Sequence, residues 1–227
     1  MLVLITWPTM TNKLSVFFDL DGTLFDTAPD LHAAMQKTLS YFDYQPIAFE
    51  RFRPHVHTGT KSMILESFGI DDTHPDFNHI RETFLQHYQA ALTEKTDYFP
   101  GIPDVLEHLD THKTAWGIVT SKPGWLAEPL LKHFALDQRS QCIVSGDTLD
   151  QKKPHPAPLL HACALTQTQA NNAIYVGDTE VDVMAAKAAG MKAIAVLYGY
   201  HRPGSEAEMQ KADHVITSPL EILNCLS

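Results

Sequence analysis

A chain of 227 residues, 44% of them hydrophobic, can build one large core or two unequal ones. Its formal net charge of -10 excludes a general nucleic-acid or anionic-membrane surface, both of which need basic patches, so an anionic substrate would have to meet positive groups placed locally. The three cysteines, Cys142, Cys163 and Cys225, are odd in number and lack C-x-x-C spacing, which argues against a disulfide framework or a zinc motif and points to the reducing cytoplasm.

Residues 1–10 are apolar but lack a basic n-region and meet Trp7-Pro8, so they read as an extension before the first strand rather than a signal peptide. No segment has the uninterrupted apolar length of a membrane span. The run 14–18 reads as a buried strand that breaks at Asp19-Leu20-Asp21-Gly22-Thr23 into an acidic loop. Asp26-Thr27-Ala28-Pro29 is a helix start, with Pro29 in the first turn and a helix through Leu31, Met35 and Leu39 behind it. From there to about residue 96 the pattern is helical and strand-poor, with helices expected near 49–52, 62–68 and 77–92.

Phe99-Pro100-Gly101-Ile102-Pro103 marks a return to the main domain. Strands are then expected at 115–119, 142–144, 173–176, 193–197 and 215–217, with helices at 124–134, 157–165 and 181–189 between them and 220–226 closing the chain. This alternation predicts an α/β fold, a Rossmann-like parallel sheet covered on both faces, with a helical domain inserted after the first strand. The expected division is a core of residues 1–26 and 97–227 and a helical cap of 27–96.

Ligands of parallel sheets gather at the carboxyl ends of the strands, and each strand end here carries a polar group of a different kind. Asp19 and Asp21 repel one another, so either a cation is shared or one of them takes a proton; the alternative for an isolated D-x-D-G is a turn or helix cap. The strand 115–119 ends at Thr120-Ser121-Lys122-Pro123, offering a hydroxyl and loop N–H groups suited to phosphate oxygens. Lys153 sits in Lys152-Lys153-Pro154-His155-Pro156, where prolines stiffen the backbone behind an ammonium. Gly177-Asp178-Thr179-Glu180-Val181-Asp182 places Asp178 in a loop and Asp182 a helical turn later, and hard oxygen ligands beside Asp19 and Asp21 would complete a Mg²⁺ site.

Taken singly, each of these has an ordinary structural explanation. In this order they resemble the four motifs of the haloacid dehalogenase superfamily of phosphotransferases, over essentially the whole chain from Leu14 to Leu226. Leu24-Phe25-Asp26-Thr27, Val119-Thr120-Ser121-Lys122-Pro123, Lys153-Pro154-His155-Pro156, Val176-Gly177-Asp178 and Tyr198-Gly199-Tyr200 are similar to the phosphoglycolate phosphatase branch. Members there often carry Asn where this chain has Ser121 and Ser where it has Thr179.

The resemblance implies a Mg²⁺-dependent phosphomonoester hydrolase acting on a small phosphorylated metabolite. In that reading Asp19 is the nucleophile and Asp21 the acid and base, while Thr120, Ser121 and Lys153 hold the phosphoryl group. Mg²⁺ would lie on Asp19, Asp178 and the backbone carbonyl of Asp21, with Asp182 in an outer shell or as an additional acid. The second aspartate, Asp21, favours phosphate esters over halides, whose departure needs no proton. The loop from Arg53 to Lys61 is expected to overhang the site, where Arg53 or Lys61 could meet a substrate carboxylate. Relatives with the same motifs resemble a phosphatase of N-acetylmuramic acid 6-phosphate, and a sugar-phosphate phosphomutase would differ chiefly in its cap. An aspartate-phosphorylated receiver module would also keep aspartates at strand ends, but it has no use for the helical insertion.

Overall fold

A computed structural model describes residues 13–201 and 204–226; the apolar start at 1–10 lies outside them. Strand β1 (Ser15–Phe18) is buried at every position, because it runs through the middle of a six-stranded sheet of order β5-β4-β1-β6-β7-β8. The other strands are β4 (Ala115–Val119), β5 (Ile143–Val144), β6 (Ala173–Gly177), β7 (Lys192–Val196) and β8 (His214–Ile216), and every pairing among the six is parallel. Such a sheet hides both faces, and period-two alternation sorts its side chains. Val16, Phe18, Ile118, Val176 and Ile194 join one apolar cluster; Phe17, Val119, Tyr175 and Ala195 join the other.

Helices cover both faces. The first cluster takes Ile102, Val105, Leu106 and Leu109 from α5 (Ile102–Thr111), together with Leu126, Ala127 and Leu130 from α6 (Gly124–His133). The second takes Leu159 and Ala162 from α7 (Ala157–Thr166) and Val183, Ala185 and Ala186 from α8 (Glu180–Ala189). Each large side chain buried this way contributes roughly 1.5–3 kcal/mol, which is what fixes the strand order and so gathers the polar strand ends along one edge.

Between β1 and α5 lies the helical insertion: α1 (Ala28–Tyr41), α2 (Phe49–Phe52), α3 (Thr60–Phe68) and α4 (Phe77–Gln89), with a 3₁₀ turn over Arg53–His55. Its buried Leu31, Met35, Ile64, Ile80 and Phe84 are continuous with the apolar cluster on the first face of the sheet. Two short strands join it to the sheet domain. β2 (Phe25–Asp26) and β3 (Asp97–Tyr98) pair antiparallel, Phe25 opposite Tyr98 and Asp26 opposite Asp97, where the chain leaves for the insertion and where it returns. The buried carboxylate of Asp30 accepts the backbone N–H groups of Lys95 and Thr96, tying the return segment to the first turn of α1.

The expected strands and helices are present with shifted ends. α3 begins at Thr60 rather than 62, α4 stops at Gln89 rather than 92, and the final segment is a 3₁₀ turn over Pro219–Cys225. The β2–β3 ribbon and a short helix, α9 (Glu206–Met209), were not expected from the sequence pattern.

Candidate active site

Asp19 follows β1 directly, and its backbone N–H donates to Val176 O of β6, so the strand pairing carries the residue to the sheet edge. Asp178 follows β6 and is fully buried. Gly22 makes the approach of these two loops possible. Its φ is +84°, and a Cβ there would fall 2.1 Å from Asp178 Oδ2, so a side chain is excluded by both conformation and space. Asp178 Oδ2 accepts the N–H of Tyr200 at 2.7 Å, and Oδ1 takes a longer bond, 3.4 Å, from the Thr23 hydroxyl.

Lys153 reaches into the cluster from the loop before α7. Its buried ammonium lies 3.1 Å from Asp19 Oδ1 and donates to Asp182 Oδ1 at 2.6 Å and to the Tyr175 hydroxyl at 2.8 Å. Asp182 is fully committed. Oδ2 accepts the Thr179 backbone N–H and hydroxyl, closing a capping box at the start of α8, while Oδ1 takes Lys153 and stands 3.3 Å from the Tyr175 hydroxyl, whose shorter bond, 2.7 Å, goes to Val119 O. Its geometry is that of an anchor for Lys153.

Thr120 is buried at the end of β4, and its hydroxyl oxygen accepts the backbone N–H of Lys122 at 3.1 Å, which leaves the hydroxyl proton available. Ser121, next to it, is exposed. Asp21 is part-exposed, and Lys122 Nζ donates to both of its oxygens, at 3.0 and 3.3 Å.

The two insertion cations differ. Arg53 lies over the ring of Tyr200 at 4.8 Å from its centroid, facing the core. Lys61 is exposed and pairs with Asp72 on the insertion's own surface. Sequence reasoning placed no role on Lys122, Tyr88 or Tyr200. The signals present were that Lys122 lies in the run 119–123 and Tyr200 in the run 198–200, while the partners of Lys122, Asp21 and Tyr88, are far away in sequence.

Burial governs the electrostatics. Asp19 is pushed up to about 6, by burial first and then by Asp182 and Asp21, against the pull of Lys153. Asp178 is raised well above the usual carboxylate range by burial, Asp182 and Asp19. Burial works against the charge on Lys153 and Lys122, but Asp182 and Asp19 around the first and Asp21 beside the second hold both ammoniums above their ordinary range.

One oxygen from each of Asp19, Asp178 and Asp182 lies within 4.8 Å of the others. Among the described residues Lys153 is the only ammonium paired to this trio, so three ionised carboxylates would leave two uncompensated negative charges, the charge of one divalent cation. Asp19 Oδ1 is buried without a hydrogen-bond partner; Lys153 stands at ion-pair distance but outside hydrogen-bonding geometry. An orphaned carboxylate oxygen beside a second buried carboxylate is a hard-donor set that suits Mg²⁺.

Comparison with known proteins agrees with this geometry. Residues 16–196 match the family described as Haloacid dehalogenase-like hydrolase. A phosphoglycolate phosphatase of Xanthomonas campestris is 37% identical over 208 residues, which span 92% of this chain and 94% of that protein. An N-acetylmuramic acid 6-phosphate phosphatase of Pseudomonas aeruginosa is 33% identical over 212 residues, covering 93% and 94%. Among solved structures, a predicted phosphoglycolate phosphatase from Haemophilus somnus superposes with a TM-score of 0.84 at 25% identity, covering 96% of this chain and 100% of that one. The chain is a phosphatase that belongs to the haloacid dehalogenase-like hydrolase family, in its phosphoglycolate phosphatase-like branch.

Proposed function

We propose that this phosphatase hydrolyses small carboxylate-bearing phosphomonoesters, phosphoglycolate first among them, through an aspartyl phosphate on Asp19. The observation that carries the reading is the unpartnered, buried Oδ1 of Asp19 beside the Lys153 ammonium at the end of the central strand, with Asp21 two residues on. Asp19 attacks phosphorus, the bond from phosphorus to the alcohol oxygen breaks, and Asp21 gives the departing oxygen its proton. Water then attacks the phosphorus of the aspartyl phosphate, Asp21 takes a proton from it, and Asp19 is freed with phosphate. Thr120 and Lys153 hold the phosphoryl oxygens, with Ser121 at the mouth of the same loop.

Asp19, Asp178 and the Asp21 backbone carbonyl would hold Mg²⁺, which when bound screens the carboxylates from the phosphoryl group. Asp182 serves from outside that shell by fixing Lys153. Residues 27–96 act as the cap over a core of 1–26 and 97–227, an assignment supported by the β2–β3 pair at the two joints. A working place in the reducing cytoplasm is supported by three cysteines that are all unpaired.

For the substrate carboxylate, Arg53 is the favoured contact, because it faces the core while Lys61 is engaged with Asp72. The second reading is N-acetylmuramic acid 6-phosphate, favoured by the Pseudomonas relative of that name.

The test is turnover on phosphoglycolate, N-acetylmuramic acid 6-phosphate, neutral hexose phosphates and nucleotides, with and without chelator. Both acids should exceed the neutral sugars, and activity should vanish in chelator and return with Mg²⁺ but not with the larger, more loosely coordinated Ca²⁺. Equal turnover of neutral sugars would contradict the carboxylate reading, and undiminished activity in chelator would contradict the metal site.

A further inference from the structure

The insertion meets the core loops through two cation–aromatic pairs of opposite sense. From the core, Lys122 Nζ lies 4.6 Å from the ring centroid of Tyr88 on α4 and donates to its hydroxyl at 2.8 Å. From the insertion, Arg53 lies over the core's Tyr200. Each pair continues to a carboxylate of the site: Lys122 to both oxygens of Asp21, and Tyr200, through its backbone N–H, to Asp178. The Tyr200 hydroxyl donates to Asp26 in the β2 joint and accepts the N–H of Ala28 at the start of α1.

The Lys122 link bears directly on the reaction. Among the described residues, the Asp21 carboxylate takes hydrogen bonds from Lys122 alone. Lys122 in turn is 8% exposed and Tyr88 is 1% exposed, so the ammonium is held by its two partners rather than by water. A lysine stem has four carbons of rotational freedom, and among the described residues the hydroxyl of Tyr88 is the one hydrogen-bond partner besides Asp21 that fixes the ammonium's position. If α4 lifts, that hydroxyl leaves with it, and Lys122 and Asp21 both regain water and rotamers.

We propose that Lys122 and Tyr88 form a closure-reading pair: positioning residues that aim the Asp21 carboxylate at the leaving-group oxygen only while the insertion is seated on the core. The proposal rests on the phosphatase reading above. It places proton delivery, rather than phosphoryl binding, under the control of the seated insertion. The consequence is selectivity in time, since a phosphomonoester whose departure needs a proton is cleaved only after it has been enclosed.

The test uses Tyr88→Phe, which keeps the ring and loses the hydroxyl, Lys122→Met, and the double variant. kcat and KM are measured on an alkyl phosphomonoester and on 4-nitrophenyl phosphate, whose leaving group needs no proton. For the alkyl ester, kcat should fall ~3–10-fold in Tyr88→Phe and ~10–100-fold in Lys122→Met, the scale of a misplaced catalytic group. KM should move little, and the first step on the aryl ester, read as the pre-steady-state burst of 4-nitrophenolate, should slow less than ~3-fold, because only the later hydrolysis common to both esters still needs Asp21. The double variant should be no worse than Lys122→Met, because Tyr88 acts through the lysine. Equal slowing of the first, phosphoryl-transfer step on both esters, additive losses, or no loss would overturn the proposal. Hydrogen exchange provides a readout independent of activity: amides of α4 and β3 should exchange faster in Tyr88→Phe, and unchanged exchange would overturn the pair as a closure contact. A wild type that cleaves no phosphomonoester would overturn the phosphatase reading, while the exchange measurement would still decide the closure contact.

Discussion

Asp182 binds the Lys153 ammonium at 2.6 Å and thereby sets it 3.1 Å from Asp19 Oδ1. Asp182 holds Lys153 with Oδ1 and closes the cap of α8 with Oδ2, and in the proposed reading its effect on the reaction passes through the lysine. Breaking a buried pair by removing one charge costs roughly 3–5 kcal/mol. Asp182→Asn should therefore lower the melting temperature and reduce kcat about 100-fold as Lys153 drifts from Asp19, on the scale set by misplacing a catalytic group. Its half-saturating Mg²⁺ concentration should stay within about 3-fold of wild type, against the 10–100-fold typical of losing a ligand's support. A Mg²⁺ titration of activity checks this, and a large shift would make Asp182 a ligand instead of an anchor.

Asp21 should separate substrates by leaving group. In the proposed mechanism Asp21→Asn removes the proton donor while leaving the Asp19 nucleophile and Lys153 in place. Phosphoryl transfer from alkyl phosphates should slow roughly 100–10,000-fold, the range for a general acid, and that from an aryl phosphate with a good leaving group by much less, while hydrolysis of the shared aspartyl phosphate is slowed for both. Single-turnover rates of phosphoryl transfer on the two ester classes measure the difference.

Asp19 also gives the metal-free protein a pH signature. Its folded-state value of about 6 lies above the ordinary 3.8, so between those two values the folded chain binds more protons than the unfolded one. Stability from this group is therefore lost as pH rises from ~4 to ~6. The raised carboxyl of Asp178 extends the loss upward. Asp71 and Glu221, both lowered by hydrogen bonds they accept, act in the opposite direction, which is why a difference measurement is needed. Denaturant unfolding in chelator should show Asp19→Asn gaining on wild type across this window by on the order of 2 kcal/mol.

Arg53 and Lys61 should behave differently. Arg53→Ala should reduce kcat/KM for phosphoglycolate about 10–100-fold, the value of a charge-assisted hydrogen bond, while barely changing neutral hexose phosphates. Lys61→Ala removes only a solvent-exposed pair with Asp72 and should leave both rates within about 2-fold. Parallel kinetics of the two variants on an acidic and a neutral ester test the contrast.

The sheet was legible because its strands declare themselves locally. The run ending at Asp19 and the alternation from 115 to 217 need only period and punctuation to be read, and they place Asp19, Thr120 and Asp178 at one edge by topology alone. The β2–β3 ribbon was not legible, since two-residue strands 71 positions apart carry no periodicity and exist only because the chain must leave and return at one point. Lys122 was missed for a related reason. Its position looked like a loop lysine, and what makes it special is Tyr88 on a helix of the insertion and Asp21 on another loop, both brought to it by tertiary packing. Lys61 shows the converse: it sat in an attractive loop, but Asp72 lay in reach.

The most direct test of the account is chemical trapping of the covalent enzyme. Quenching a reaction with phosphoglycolate or an aryl phosphate and reducing with borohydride converts an aspartyl phosphate to homoserine, which peptide mass spectrometry locates. The account predicts homoserine at position 19 in the Mg²⁺-loaded wild type, and none in its chelated form or in Asp19→Asn. Turnover with no label at position 19, or label at another aspartate, would contradict it.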